Sequence, residues 1–172
     1  NLKNWQFLKN IKILNELISL RDISDIHGDL TVENIIVDGS LSRGWYLIDP
    51  NPVNIFNTPL IDWAKLYQSF HTYYELLNKG VACNLLGNQI TYTVPRIFAY
   101  EKLYQSLRCE AVSRWGIEGE REIRLHEIIH YLRLTPYKFR FGFESGILFF
   151  AVCCQLIDQY RNDYGSAIRS SV

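Results

Sequence analysis

The residues most able to do chemistry lie in one short stretch. His27-Gly28-Asp29 opens a motif that closes on Asn34, and a second acid, Asp49, ends the apolar run Trp45-Tyr46-Leu47-Ile48. Asp29 is a short carboxylate next to a glycine, which lets backbone approach a ligand closely, so it suits a general base. Asn34 and Asp49 are hard oxygen donors of the kind Mg²⁺ accepts while water and phosphate complete its shell. A proton acceptor for a hydroxyl, beside cations that neutralise phosphate oxygens, is what phosphoryl transfer to an alcohol requires. His27 is expected to orient the loop by hydrogen bonding.

The flanking sequence must hold these groups together. Residues 4 to 20 place Trp5, Leu8, Ile11, Leu14, Leu17 and Ile18 at three- and four-residue steps, which predicts a helix leading into the motif. Ile35-Ile36-Val37 and Trp45 to Ile48 predict a hairpin whose turn, 39–44, has a glycine at each end. If Asp38 pairs with Trp45, Asn34 faces Asp49 and the two side chains share one face. Thr58-Pro59 reads as an N-cap and first helical residue, starting an apolar helix that runs to about Asn78. Residues 81 to 94 read as a loop or a short extended piece. Further helices are predicted from Pro95 to Gly116, from Glu118 to Leu134 and from Glu144 to Asp163, with a frayed tail over 165–172. The expected class is mainly α, with one small β-hairpin and no sheet after residue 50.

A chain of 172 residues is one domain's worth, organised as loop and hairpin over 26–50 and helices over 58–164. Its net charge is zero, so no global field draws it to nucleic acid or to an anionic membrane, and neither is an expected partner. Cys83, Cys109, Cys153 and Cys154 form no C-x-x-C pair, which fits reduced, buried thiols and a cytoplasmic setting. The longest apolar run, Ile147 to Cys154, is too short to span a bilayer. The chain opens on Asn1 and not on methionine, so the expectation is a piece of something longer; it also contains no methionine at all.

His27-Gly28-Asp29-Leu30 with Asn34, followed by Leu47-Ile48-Asp49, resembles the aminoglycoside phosphotransferase and choline kinase family of the protein-kinase-like superfamily. The resemblance spans residues 26 to 66. It implies the helical C-terminal lobe of an α+β kinase-like fold, with Asp29 as catalytic base and Asn34 and Asp49 as magnesium ligands beside ATP. It also implies that Asp62, in Leu60-Ile61-Asp62-Trp63-Ala64, braces the catalytic loop. Many family members carry another acid just after the metal-binding aspartate; here Pro50-Asn51 follows, and Asn51 is a weaker candidate ligand. No glycine-rich phosphate loop and no strand lysine precede the motif. The sheet lobe that clamps ATP is therefore expected from an upstream segment, and these residues alone are expected to be inactive. The implied acceptor is a hydroxyl of a small molecule such as a sugar, amino alcohol or antibiotic.

Two other readings stand beside this one. A kinase-like lobe can serve as a non-catalytic binding module. His126-Glu127-Ile128-Ile129-His130 is a literal H-E-x-x-H, which on a helix puts two imidazoles on one face with a glutamate as base, the core of a zinc hydrolase. Against it, Arg124 is charged where such helices are apolar, and no third ligand stands out. Two histidines four residues apart also suit half-buried packing positions.

Overall fold

In the computed structural model, which describes residues 2–19, 22–54 and 56–170, the amino-terminal stretch is not one helix. A 3-10 segment, Leu2–Lys9, precedes α1, Ile11–Leu17. Asn10 divides them, because its side-chain oxygen accepts from the N–H groups of Lys12 at 3.1 Å and Ile13 at 3.4 Å and so caps a new helix. The expected end of that helix, residue 20, lies outside the described residues.

The first hairpin is present, one residue out of the expected register. β1, Ile35–Val37, pairs antiparallel with β2, Trp45–Leu47, through Ile35 with Leu47, Ile36 with Tyr46 and Val37 with Trp45. Asp38 belongs to the turn. Its Oδ1 accepts from the Ser40 N–H at 2.9 Å and the Ser40 hydroxyl at 2.7 Å, and its carbonyl accepts from the Leu41 N–H. Asn34 therefore stands opposite Ile48, whose N–H donates to the Asn34 carbonyl at 3.1 Å, and not opposite Asp49.

α2, Pro59–Phe70, starts as expected but ends eight residues early. Tyr73 has left-handed backbone (φ 57, ψ 47), which breaks the helix before α3, Tyr74–Asn78. A second hairpin follows where no sheet was expected: β3, Cys83–Leu86, pairs with β4, Gln89–Tyr92, across Gly87-Asn88. α4 spans Phe98–Phe141 in two arms that meet at Gly116, whose backbone (φ 70, ψ −177) suits glycine alone. The second arm runs through Pro136, where a stop was expected. There the Thr135 hydroxyl donates to the Tyr131 carbonyl at 2.8 Å in the turn that proline disturbs. Gly142 makes the corner into α5, Phe143–Ser170, so the helix continues into the region expected to fray; residues 171–172 lie outside the described residues.

The chain is thus mainly helical with two small antiparallel hairpins. Two apolar clusters hold it together. In the larger, Leu125, Ile128 and Tyr131 of α4 pack on Phe149, Cys153, Ile157 and Tyr160 of α5, with Phe7, Ile13 and Leu17 closing one side. In the smaller, Leu60, Ala64 and Tyr67 of α2 lie against Ala111 and Ile123, one from each arm of α4. α2 is the helix nearest the motif loop, and burying its apolar stripe between those arms fixes the face that looks at the loop. No helix among the described residues is long and apolar enough to cross a membrane.

Candidate active site

The loop from His27 to Asn34 is tied down on every side. Asp62, in the first turn of α2, receives two backbone N–H groups: His27 donates to its Oδ2 at 2.8 Å and Gly28 to its Oδ1 at 2.7 Å. Burial holds the Asp62 carboxyl above the usual aspartate range, and those two N–H groups offset only part of that effect. The His27 ring bridges two segments. Its Nδ1 accepts the Asp29 N–H at 3.3 Å, so the proton sits on Nε2, which donates to the Ile48 carbonyl at 2.7 Å. Asn51 joins the loops from the far side by donating its N–H to the His27 carbonyl at 2.8 Å.

Gly28 sits where only glycine fits. Its φ is +78, and a Cβ there would meet Asn54 Nδ2 at 2.1 Å and the Asn51 carbonyl at 2.6 Å. Glycine at this point lets the segment after Asp49 pack directly on the motif.

Beyond Asp29 the loop closes on itself. The Asn34 amide donates to the Asp29 carbonyl at 2.7 Å, which leaves the Asn34 amide oxygen unused by that bond. The Val32 N–H donates to Ser69 Oγ at 3.0 Å, and the Ser69 hydroxyl donates onward to Glu75 Oε1 at 2.6 Å. Sequence reasoning missed Ser69 and Glu75. They lie on α2 and α3, on either side of the break at Tyr73, and a single unbroken helix would not offer that geometry.

Glu75 is buried, and desolvation raises its carboxyl above the usual glutamate value. A carboxyl with a raised folded-state pKa binds its proton more tightly folded than unfolded. Its contribution is therefore full below the ordinary glutamate value and is lost as pH rises through the raised one. Glu75→Gln keeps an acceptor for Ser69 and carries no charge. Melting temperatures across pH 4 to 8 should show the variant gaining on the native protein as pH rises and then levelling. A gap that is constant with pH would show that Glu75 is not held above its ordinary value.

The structure places the remaining candidates as follows. The Asp29 side chain is 43% exposed, and Lys65 Nζ lies 3.0 Å from its Oδ1. Lys65 was also missed, although it stands three residues after Asp62 on α2 and so shares its face. Asp49 is exposed, with left-handed backbone (φ 54), an uncommon state for a non-glycine residue and one often found at functional sites. Regular alternation would send Asp49 to the face opposite Asn34, but the left-handed residue ends that alternation. The Asn51 amide oxygen accepts the Val53 N–H at 3.0 Å, a local turn that makes Asn51 a splice between loops.

The H-E-x-x-H residues lie deep inside α4 with other partners. Glu127 is fully buried, with Oε1 2.9 Å from His71 Nδ1 and Oε2 3.3 Å from Arg124 Nε, the latter an ion pair without hydrogen-bond alignment. His126 Nε2 faces Glu122 Oε1 at 3.6 Å. Among the described residues, no three His, Cys, Asp or Glu side chains group to hold a metal ion. The arrangement is that of a buried polar seam between helices.

No family model, curated protein or solved structure matches the chain.

Proposed function

We propose that these residues form the catalytic-loop half of an ATP-dependent phosphotransferase acting on a hydroxyl of a small molecule. The observation that carries this reading is the immobilised loop. Asp62 takes the N–H groups of His27 and Gly28, and Asn34 takes the Asp29 carbonyl, so a solvent-facing carboxylate stands on fixed backbone. Asp29 accepts the hydroxyl proton as the acceptor oxygen bonds to the γ-phosphorus. The bond from that phosphorus to the bridging oxygen breaks, and ADP leaves.

Asn34 and Asp49 fit a magnesium site in their chemistry. Asn34 spends its N–H on Asp29 and keeps its oxygen, and Asp49 has no partner among the described residues. Magnesium bound there would supply charge to the nucleotide phosphates. The nucleotide clamp is assigned to a lobe outside these residues, since they contain no glycine-rich phosphate loop.

The test is Mn²⁺ binding, followed by electron paramagnetic resonance on the natural full-length protein. The expected result is ATP-dependent Mn²⁺ binding that is lost in Asp49→Ala. Binding that ignores ATP, or survives that substitution, would overturn the metal assignment. A non-catalytic module would bind neither Mn²⁺ nor ATP.

A further inference from the structure

Beside the Asp29 loop, a cavity of 210 Å³ opens between Gly28, Lys65, His130, Arg133 and Tyr137. The charged residues that line it, Lys65 and Arg133, are both basic, and the Asp29 carboxylate offsets Lys65 alone. Lys65 is mostly buried and reaches Asp29 from this cavity, and Arg133 has no acidic partner among the described residues. His130 is only 7% exposed, and its Nε2 has no hydrogen-bond partner there. Burial first, then the charges of Lys65 and Arg133, push the His130 pKa well below the usual imidazole value, so its ring adds no charge of its own to the cavity. Cations gathered at a partly closed cavity repel one another, and an anion between them would relieve that repulsion. The volume suits a carboxylate or phosphate group and is small for a nucleotide.

Lys65 ties this cavity to the chemistry, because one ammonium both lines it and touches Asp29. We infer that the acceptor is an alcohol bearing an acidic group, held by Lys65 and Arg133 so that its hydroxyl reaches Asp29. This rests on the phosphotransferase reading. It narrows the acceptor class from small alcohols in general to hydroxy acids or phosphorylated alcohols, and disfavours cationic amino alcohols, which Lys65 and Arg133 would repel.

Two experiments on the full-length protein separate this inference from the reading beneath it. The first is calorimetric titration with inorganic phosphate, glycerate, glycerol 3-phosphate, glycerol and ethanolamine. At least one anion should bind, glycerol and ethanolamine should not, and Arg133→Gln should weaken the anion by about 10- to 100-fold, the range for loss of a hydrogen bond to a charged group. A preference for glycerate or for glycerol 3-phosphate distinguishes the two anion sources. Arg133 is exposed, so this variant should fold, and Arg133→Lys should restore part of the affinity. Equal binding of neutral and anionic probes, or no effect of Arg133→Gln, overturns the inference whatever the enzyme does with ATP.

The second experiment is steady-state transfer to the same alcohols. Arg133→Gln should raise KM for the anionic acceptor and leave kcat within a few-fold. Transfer that depends on Asp29 but favours glycerol or ethanolamine would overturn the acceptor class and leave the phosphotransferase reading intact.

Discussion

Arg124→Met is expected to destabilise the protein by about 3–5 kcal/mol, the loss found when a buried ion pair keeps one partner. Arg124 is 3% exposed, and its guanidinium faces Glu127 Oε2 at 3.3 Å, the Tyr104 hydroxyl and Gln159 Oε1. Glu127 is 0% exposed, so without Arg124 its carboxylate keeps, among the described residues, only His71 as an ion-pair partner. Methionine fills much of the volume, which isolates the charge effect from a cavity effect. For a chain of this size the melting temperature should fall by about 6–20 °C. Arg124→Met with Glu127→Leu should recover much of the loss, because no charge is then stranded. A single variant that melts with the native protein would mean that the seam is hydrated and carries little energy.

Asp62→Ala should have the second largest effect, and at the site itself. Each N–H that Asp62 accepts is a hydrogen bond to a charged group, and the half-buried loop leaves water only partial access to replace them. The expected cost is about 2–4 kcal/mol, concentrated in the loop. Amide exchange at His27 and Gly28 should accelerate by ~30-fold or more, while the Phe149 and Ile157 amides in α5 change less. Phosphoryl transfer should fall as well, since Asp29 would no longer stand on fixed backbone. Unchanged exchange at His27 and Gly28 would show that Asp62 is not what fixes the loop.

Much of the molecule could be read from local patterns. Apolar steps along α2 and α5 marked helices because each buries a continuous stripe, and Thr58-Pro59 marked the start of α2 through its capping chemistry. The hairpin register was not legible, because Asp38 could equally end a strand or begin a turn. Its side chain settles the matter by bonding to Ser40. The second hairpin did leave a signal in Gly87-Asn88, a two-residue turn between β-prone segments. Leu85 and Leu86 are exposed, however, and supply no clean alternation. The second arm of α4 is harder still. It buries Glu120, Glu122, Arg124, His126 and Glu127, so the polar residues that usually mark a helix's outer face here lie within.

The candidate site divides in the same way. His27, Asp29, Asn34 and Asp49 stood out because residue type and spacing carry their chemistry, whereas Asp62 was picked out by the family resemblance, since alone it is an ordinary acid in a helix's first turn. Lys65, Ser69, Glu75 and Arg133 did not, because a lone polar residue on a helix is ordinarily a solvated one. Only the packing of α2, α3 and α4 around the loop gives these four a role.

Transfer of the γ-phosphate from labelled ATP by the full-length protein, native against Asp29→Asn, tests the central claim most directly. Asparagine preserves the shape of the side chain and removes its capacity to accept a proton. The expected result is a fall in kcat of about 10²–10⁴, the usual weight of a general base, with ATP-dependent Mn²⁺ binding retained. Transfer within a few-fold of the native rate would contradict the assignment of Asp29 as the base and, with it, the catalytic reading of the loop.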